Sequence, residues 1–157
     1  MTNDTIKYYT RKISDANPTE IISIVLELAE TYLDEAIMAN KEDNMDAFTI
    51  SIEKAQKCIT DLIDSLNMEY EISGNLLDIY LFMQKELSLA SVKRDAHTVA
   101  KIQAFVTKIK NSFKELSKQD NRGPAMGNAQ EVYAGLTYGK GTLNESTNIQ
   151  SNRGFTV

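Results

Sequence analysis

Apolar residues recur at alternating steps of four and three on both sides of a short polar elbow, and no other feature constrains the fold more. Before the elbow the series is Phe48, Ile52, Ala55, Ile59, Leu62 and Leu66. After it come Leu76, Tyr80, Met83, Leu87 and Ala90. Steps of this kind put each set on one side of an α-helix. Gly74 and Asn75 are expected to relieve the turn, and Ser73 to cap the second helix through its hydroxyl. The stretch predicts a helical hairpin at the centre of a bundle.

The same period continues outward. Asn17-Pro18-Thr19-Glu20 is a helix start, because Asn17 can cap, Pro18 suits the first helical position and Glu20 completes a capping-box spacing. The helix it opens runs to about Asn40, with Ile22, Val25, Leu26, Ala29, Leu33 and Ala36 on one side. Ile21, Leu28 and Tyr32 widen that side, which implies burial against more than one neighbour. After a polar turn at Lys41–Asn44, the next helix leads to the elbow. Asp95 then caps a last helix bearing Val99, Ile102, Val106, Ile109, Phe113 and Leu116. Connections of about 3 to 8 residues favour antiparallel neighbours. The expected fold is all-α: an antiparallel up-down four-helix bundle over residues 17–117. It is preceded by an N-terminal strap (1–16) and followed by an irregular Gly/Asn/Ser-rich extension (118–157).

Composition marks the same boundary. Six of seven glycines, Gly123 to Gly154, follow Leu116. The net charge is −5, with −6 on residues 1–117 and +1 beyond them. An acidic body argues against nucleic acid as a partner, since phosphates require clustered Lys and Arg. No apolar run approaches a membrane span, and Met1–Lys12 lacks the apolar core of a signal peptide. A lone thiol, Cys58, suits a reducing compartment. The cytosol is the expected location.

Chemistry is not in view. His97 has polar neighbours and no reactive partner in sequence, so it reads as a solvated surface group. Cys58 borders an apolar stripe and reads as a small hydrophobe. Glu27 and Glu30 lack the Glu-x-x-His spacing of a di-iron bundle. Gly139-Lys140-Gly141 lacks a phosphate-loop spacing. No enzyme, metal or cofactor is expected. What remains is apolar surplus at Tyr32, Met45, Tyr70, Phe82 and Phe105, which thickens a core, makes a homodimer or binds a client.

The segment Leu-Asn-Met-Glu-Tyr-Glu-Ile-Ser-Gly-Asn-Leu-Leu-Asp-Ile-Tyr-Leu-Phe-Met from Leu66 to Met83 resembles the signature of the flagellin-specific flagellar export chaperones, the FliS-like family. Matching positions are Leu66, Met68, Glu69, Glu71, Ile72, Asn75, Leu76, Tyr80 and Met83. Asn67 stands where that family more often has Asp, no Gly precedes Glu71, and Phe113 stands where Trp is frequent. The resemblance runs from about Tyr8 to Leu116 and includes Asn17-Pro18. It implies a non-catalytic chaperone that holds the C-terminal segment of flagellin, prevents premature polymerisation and delivers it to the flagellar export gate. An acidic bundle with apolar grooves can cover such an amphipathic segment by helix-in-groove recognition.

Residues 1–16 show no sustained period and read either as a frayed terminus or as a mobile strap over a groove. The resemblance favours the strap, because the family carries an N-terminal Tyr motif near its client site. It implies client contacts at Tyr8, Tyr9, Ile13, Met68, Ile72, Leu77 and Tyr80. In the extension, Gln130, Val132, Tyr133 and Leu136 follow a spacing similar to flagellin C-termini, which suggests an internal mimic of the client; the other reading is a flexible tail whose apolar groups mark another partner. The competing reading is a helical adaptor or signalling bundle that acts through self-association.

Overall fold

The computed structural model describes residues 2–125. Among these residues the chain forms five α-helices and no strand: α1 (Asn3–Asp15), α2 (Pro18–Lys41), α3 (Met45–Asp64), α4 (Glu71–Lys93) and α5 (Ala96–Ser117). Polar side chains start four of them. Thr2, Asn17, Asn44 and Asp95 accept hydrogen bonds from the backbone N–H three residues on, at 3.3, 2.8, 3.1 and 3.1 Å. Each satisfies one of the amides that a helix leaves without an internal partner. Left-handed residues mark two exits: Asp43, φ 56°, just past α2, and Arg94, φ 55°, at the end of α4.

α2 is the central element. It packs most closely on α3 and α5, and α4 closes the ring by packing on both. Ile24, Val25, Leu26, Leu28, Ala29, Leu33, Ala36 and Ala39 of α2 are buried in one core. Facing them are Phe48, Ile52, Ala55, Ile59 and Leu62 from α3, Tyr80, Met83, Leu87 and Ala90 from α4, and Val99, Ile102 and Val106 from α5. Leu116, expected on the α5 stripe, is exposed one residue before the helix ends. Polar ties reinforce the ring. The Gln56 and Gln84 side chains each donate to the other's backbone carbonyl, at 3.2 and 2.8 Å, joining α3 to α4. Lys110 and Thr107 of α5 both donate to the Glu30 carboxylate of α2.

The first sixteen residues differ from the expected strap. Residues 3–15 are helical, and Tyr9, Ile13 and Ala16 belong to the common core. The physical reason is a side of α2 that the other helices leave bare. Ile24, outside the predicted stripe, lies there beside Tyr8 and Lys12. The Tyr9 hydroxyl shares a 3.3 Å hydrogen bond with Thr31, and Lys12 pairs with Glu27.

The elbow also differs. α4 begins at Glu71, so Ser73 lies within its first turn and caps nothing. Its buried hydroxyl donates instead to the Asn67 carbonyl at 2.6 Å, while Asn67 Oδ1 accepts from the Glu69 amide at 3.0 Å. Asn67 thus closes an Asx-type turn. Gly74 is helical, and a Cβ there would meet nothing within 4 Å, so the turn does not need it.

After α5 the chain turns back onto the start of α2. The Asn17 amide donates to the carbonyls of Ser117 and Asp120, at 3.1 and 3.3 Å. Asp120 Oδ2 accepts from the Thr19 hydroxyl at 2.7 Å and the Thr19 amide at 3.3 Å. Arg122 grips the same carboxylate through two nitrogens, at 2.8 and 2.7 Å. Finally, the Ala125 amide donates to the Ala16 carbonyl at 2.9 Å. Asp120 therefore acts as a second cap on α2.

Candidate functional site

The elbow makes a pocket because α4 starts several residues after α3 stops, leaving the end of the bundle unfilled. Its walls come from four helices and the turn. α2 contributes Thr19 and Ile22, α3 contributes Leu62, α4 contributes Ile72, Ser73, Leu76 and Tyr80, and α5 contributes Phe113. Ser65, Leu66, Asn67 and Tyr70 complete the rim, around a cavity of about 290 Å³. Tyr80 and Leu62 are buried, whereas Tyr70 and Ile72 are 66% and 56% exposed. Large side chains this open, beside an apolar cavity, offer surface to a ligand rather than to the core. Burial alone pushes the Tyr80 hydroxyl up to a pKa of about 12, so it is neutral at any physiological pH. The site can take an apolar side chain.

The sequence-predicted site residues fall into two places. Ile72 and Tyr80 meet in the elbow pocket. Leu77 is half-buried, and Met68 projects from the elbow at 59% exposure. Tyr8, Tyr9 and Ile13 are not part of this pocket. They sit on α1, with Tyr9 and Ile13 buried against α2 and Tyr8 exposed. The Tyr8 and Tyr9 rings meet edge-on, 5.2 Å apart, and Lys12 donates to the Tyr8 hydroxyl at 3.1 Å. Tyr8 instead borders a polar cleft of about 530 Å³, shared with Glu20, Glu27, Glu30, Asp34, Lys110 and Lys114. Gln130, Val132, Tyr133 and Leu136 lie outside the described residues.

Sequence reasoning did not assign Thr19, Ile22, Leu66, Leu76 or Phe113 to a site: Thr19 read as part of a helix start, and the periodic placement of the other four marked them as core. Position at the end of a stripe was the one signal the sequence offered. Elsewhere, α4 and α5 expose Leu81, Phe82, Leu89, Val92 and Phe105 on their outer side. The Phe82 and Phe105 rings stand edge-on at 6.4 Å, so part of the surplus contacts itself. Cys58 is buried, and desolvation with help from Asp61 raises its pKa to about 12, far from a nucleophilic thiol. Among the described residues no three His, Cys, Asp or Glu side chains are grouped to hold a metal ion, and no helix is long and apolar enough to cross a membrane.

The family described as "Flagellar protein FliS" matches residues 1–120. A curated relative, the "Flagellar secretion chaperone FliS" of Bacillus subtilis (strain 168), is 24% identical over 115 residues, covering 73% of this chain and 86% of the relative.

Proposed function

Because this chain belongs to the flagellar protein FliS family, we propose that it is a flagellar secretion chaperone whose elbow pocket receives an apolar side chain from the C-terminal segment of flagellin. The observation that carries the reading is the pocket itself, apolar within and flanked by the exposed Tyr70, Ile72 and Met68. A client whose amphipathic stripe would otherwise polymerise is covered by such a groove without any chemistry. Ile72 and Tyr80 contact the client directly, Met68 and Leu77 extend the contact, and Tyr8 adds a second, polar contact area. Tyr9 and Ile13 act by holding α1 in place. The chaperone works in the cytoplasm, keeps flagellin unpolymerised and passes it to the export gate. The same reading includes an antiparallel up-down order for α2 to α5, supported by the short turns and the ring of packing partners.

Titration with a flagellin C-terminal peptide tests it. Ile72→Asp places a charge at the mouth and should weaken binding at least tenfold, with the melting temperature little changed because Ile72 is exposed. Equal binding by parent and variant removes the pocket from the client site. A second reading, self-association, is favoured by the exposed outer side of α4 and α5. Sedimentation of Leu89→Asp and Phe105→Asp at rising concentration decides it: a monomer in both parent and variants ends that reading.

A further inference from the structure

The clasp after α5 has a definite position relative to the elbow pocket. Thr19 belongs to both: its amide and hydroxyl are bound by Asp120, and it lines the cavity. Phe113, one turn before the end of α5, lines the cavity as well. Arg122, held by Asp120, lies within electrostatic reach of Tyr70 on the rim. Ala125 is then tied to Ala16, three residues before Thr19. The chain therefore leaves its last described residue at the start of α2, close in sequence to the pocket-lining Thr19, with 126–157 still to follow. The first apolar group after Met126 is Val132, Tyr133 and Leu136. Seven residues from Ala125 to Val132 reach up to roughly 23 Å when extended, at about 3.3 Å each. That span exceeds the two turns of helix, roughly 11 Å, across which a small pocket is built.

We propose that the C-terminal extension, through Val132, Tyr133 and Leu136, occupies the elbow pocket of its own chain until the client displaces it. The inference rests on the pocket being the client site and adds its regulation. Asp120, Asn17 and Arg122 are positioning residues: they hold the root of the extension at the start of α2, next to the pocket-lining Thr19. Tethering turns the contact into an intramolecular one. An effective concentration on the order of 1 mM makes a contact with a Kd of about 0.1 mM roughly tenfold occupied. A competing client then sees its apparent affinity reduced about tenfold. A weak occupant suits this role, since it shields apolar surface and still yields.

The test compares three chains: full length, one ending at Ala125 with the clasp intact, and full length with Val132→Asp and Leu136→Asp. Methyl NMR signals of Ile22, Leu62, Leu66, Ile72 and Leu76 should shift in the second and third chains. Adding a synthetic 126–157 peptide to the shortened chain should return them. Identical methyl spectra in all three chains overturn the proposal, whatever flagellin does. Flagellin-peptide affinity should rise about tenfold on truncation, and equal affinities for full-length and shortened chains overturn the competition. If the peptide binds neither chain, the client assignment fails, while the methyl shifts still decide whether the extension fills the pocket.

Discussion

Truncating two leucines of the same core separates a wall of the pocket from an enclosed position. Leu87 is 0% exposed and Leu62 is 3% exposed, so burial alone predicts equal losses for Leu→Ala. Their surroundings differ, because Leu62 borders the elbow cavity. Removing about three carbons costs roughly 2.4 kcal/mol of transfer energy at either site, at about 0.8 kcal/mol per methylene. At Leu87 a closed void adds a second cost. At about 24 cal/mol per Å³, a residual void of roughly 60 Å³ brings the total near 4 kcal/mol. At Leu62 the new space joins a cavity already open, so the loss stays near 2.4 kcal/mol. With about 4 °C per kcal/mol for a body of this size, Leu87→Ala should melt about 16 °C lower and Leu62→Ala about 10 °C lower. Circular dichroism melts on both variants read this directly. A Leu62→Ala chain melting within about a degree of the parent, or below Leu87→Ala, would refute the placement of Leu62 on the wall.

Three further outcomes follow from the geometry. Burial opposes the charge on Glu30, yet hydrogen bonds from Lys110 and Thr107 outweigh it and hold the carboxyl below its ordinary value of 4.5. Its contribution is therefore fully present above that pH and is lost as pH falls through the lowered folded value. Between pH 5 and 2 the parent should lose about 1 kcal/mol more stability than Glu30→Gln, read from urea midpoints. Cys58 should resist thiol reagents at pH 8 in the native protein and react fully in urea; rapid native labelling would contradict its burial. Gly74→Ala should raise stability by about 0.5 to 1 kcal/mol, because the position is helical and open. A fall in melting temperature would show that the elbow needs the glycine after all.

The four long helices were legible because alternating steps of three and four leave no other way to bury Phe48 through Ala90. α1 carries the same steps at Ile6, Tyr9, Ile13 and Ala16. Tyr8 beside Tyr9, and a dominant polar content, hid them, and only the bare side of α2 explains why they are buried. At the elbow, the propensity of Ser for caps pointed to Ser73. The helix starts earlier because Asn67 satisfies the turn, a local Asx signal that the Ser73 reading passed over. The pocket was half legible: Ile72 and Tyr80 came from the family signature, whereas Thr19, Ile22 and Phe113 arrive from distant parts of the chain. The pairing of Asp120 with Thr19 leaves no trace in spacing, because nothing local distinguishes that aspartate from its exposed neighbours.

The bond between Asn17 and the Ser117 carbonyl brings the beginning of α2 to the end of α5. The run from α2 to α5 is thus nearly a closed circle of chain, with its gap spanned by one side chain. A circle has no preferred starting point. A peptide linker of a few residues could join 117 to 17, and new termini could open at Lys93-Arg94, leaving α2 to α5 with their present neighbours in the ring, without α1 or the Asp120 clasp. In such a rearranged chain α4 and α5 would no longer follow one another, and their turn would become the two ends. The order in which the helices are made is therefore separable from the arrangement in which they pack.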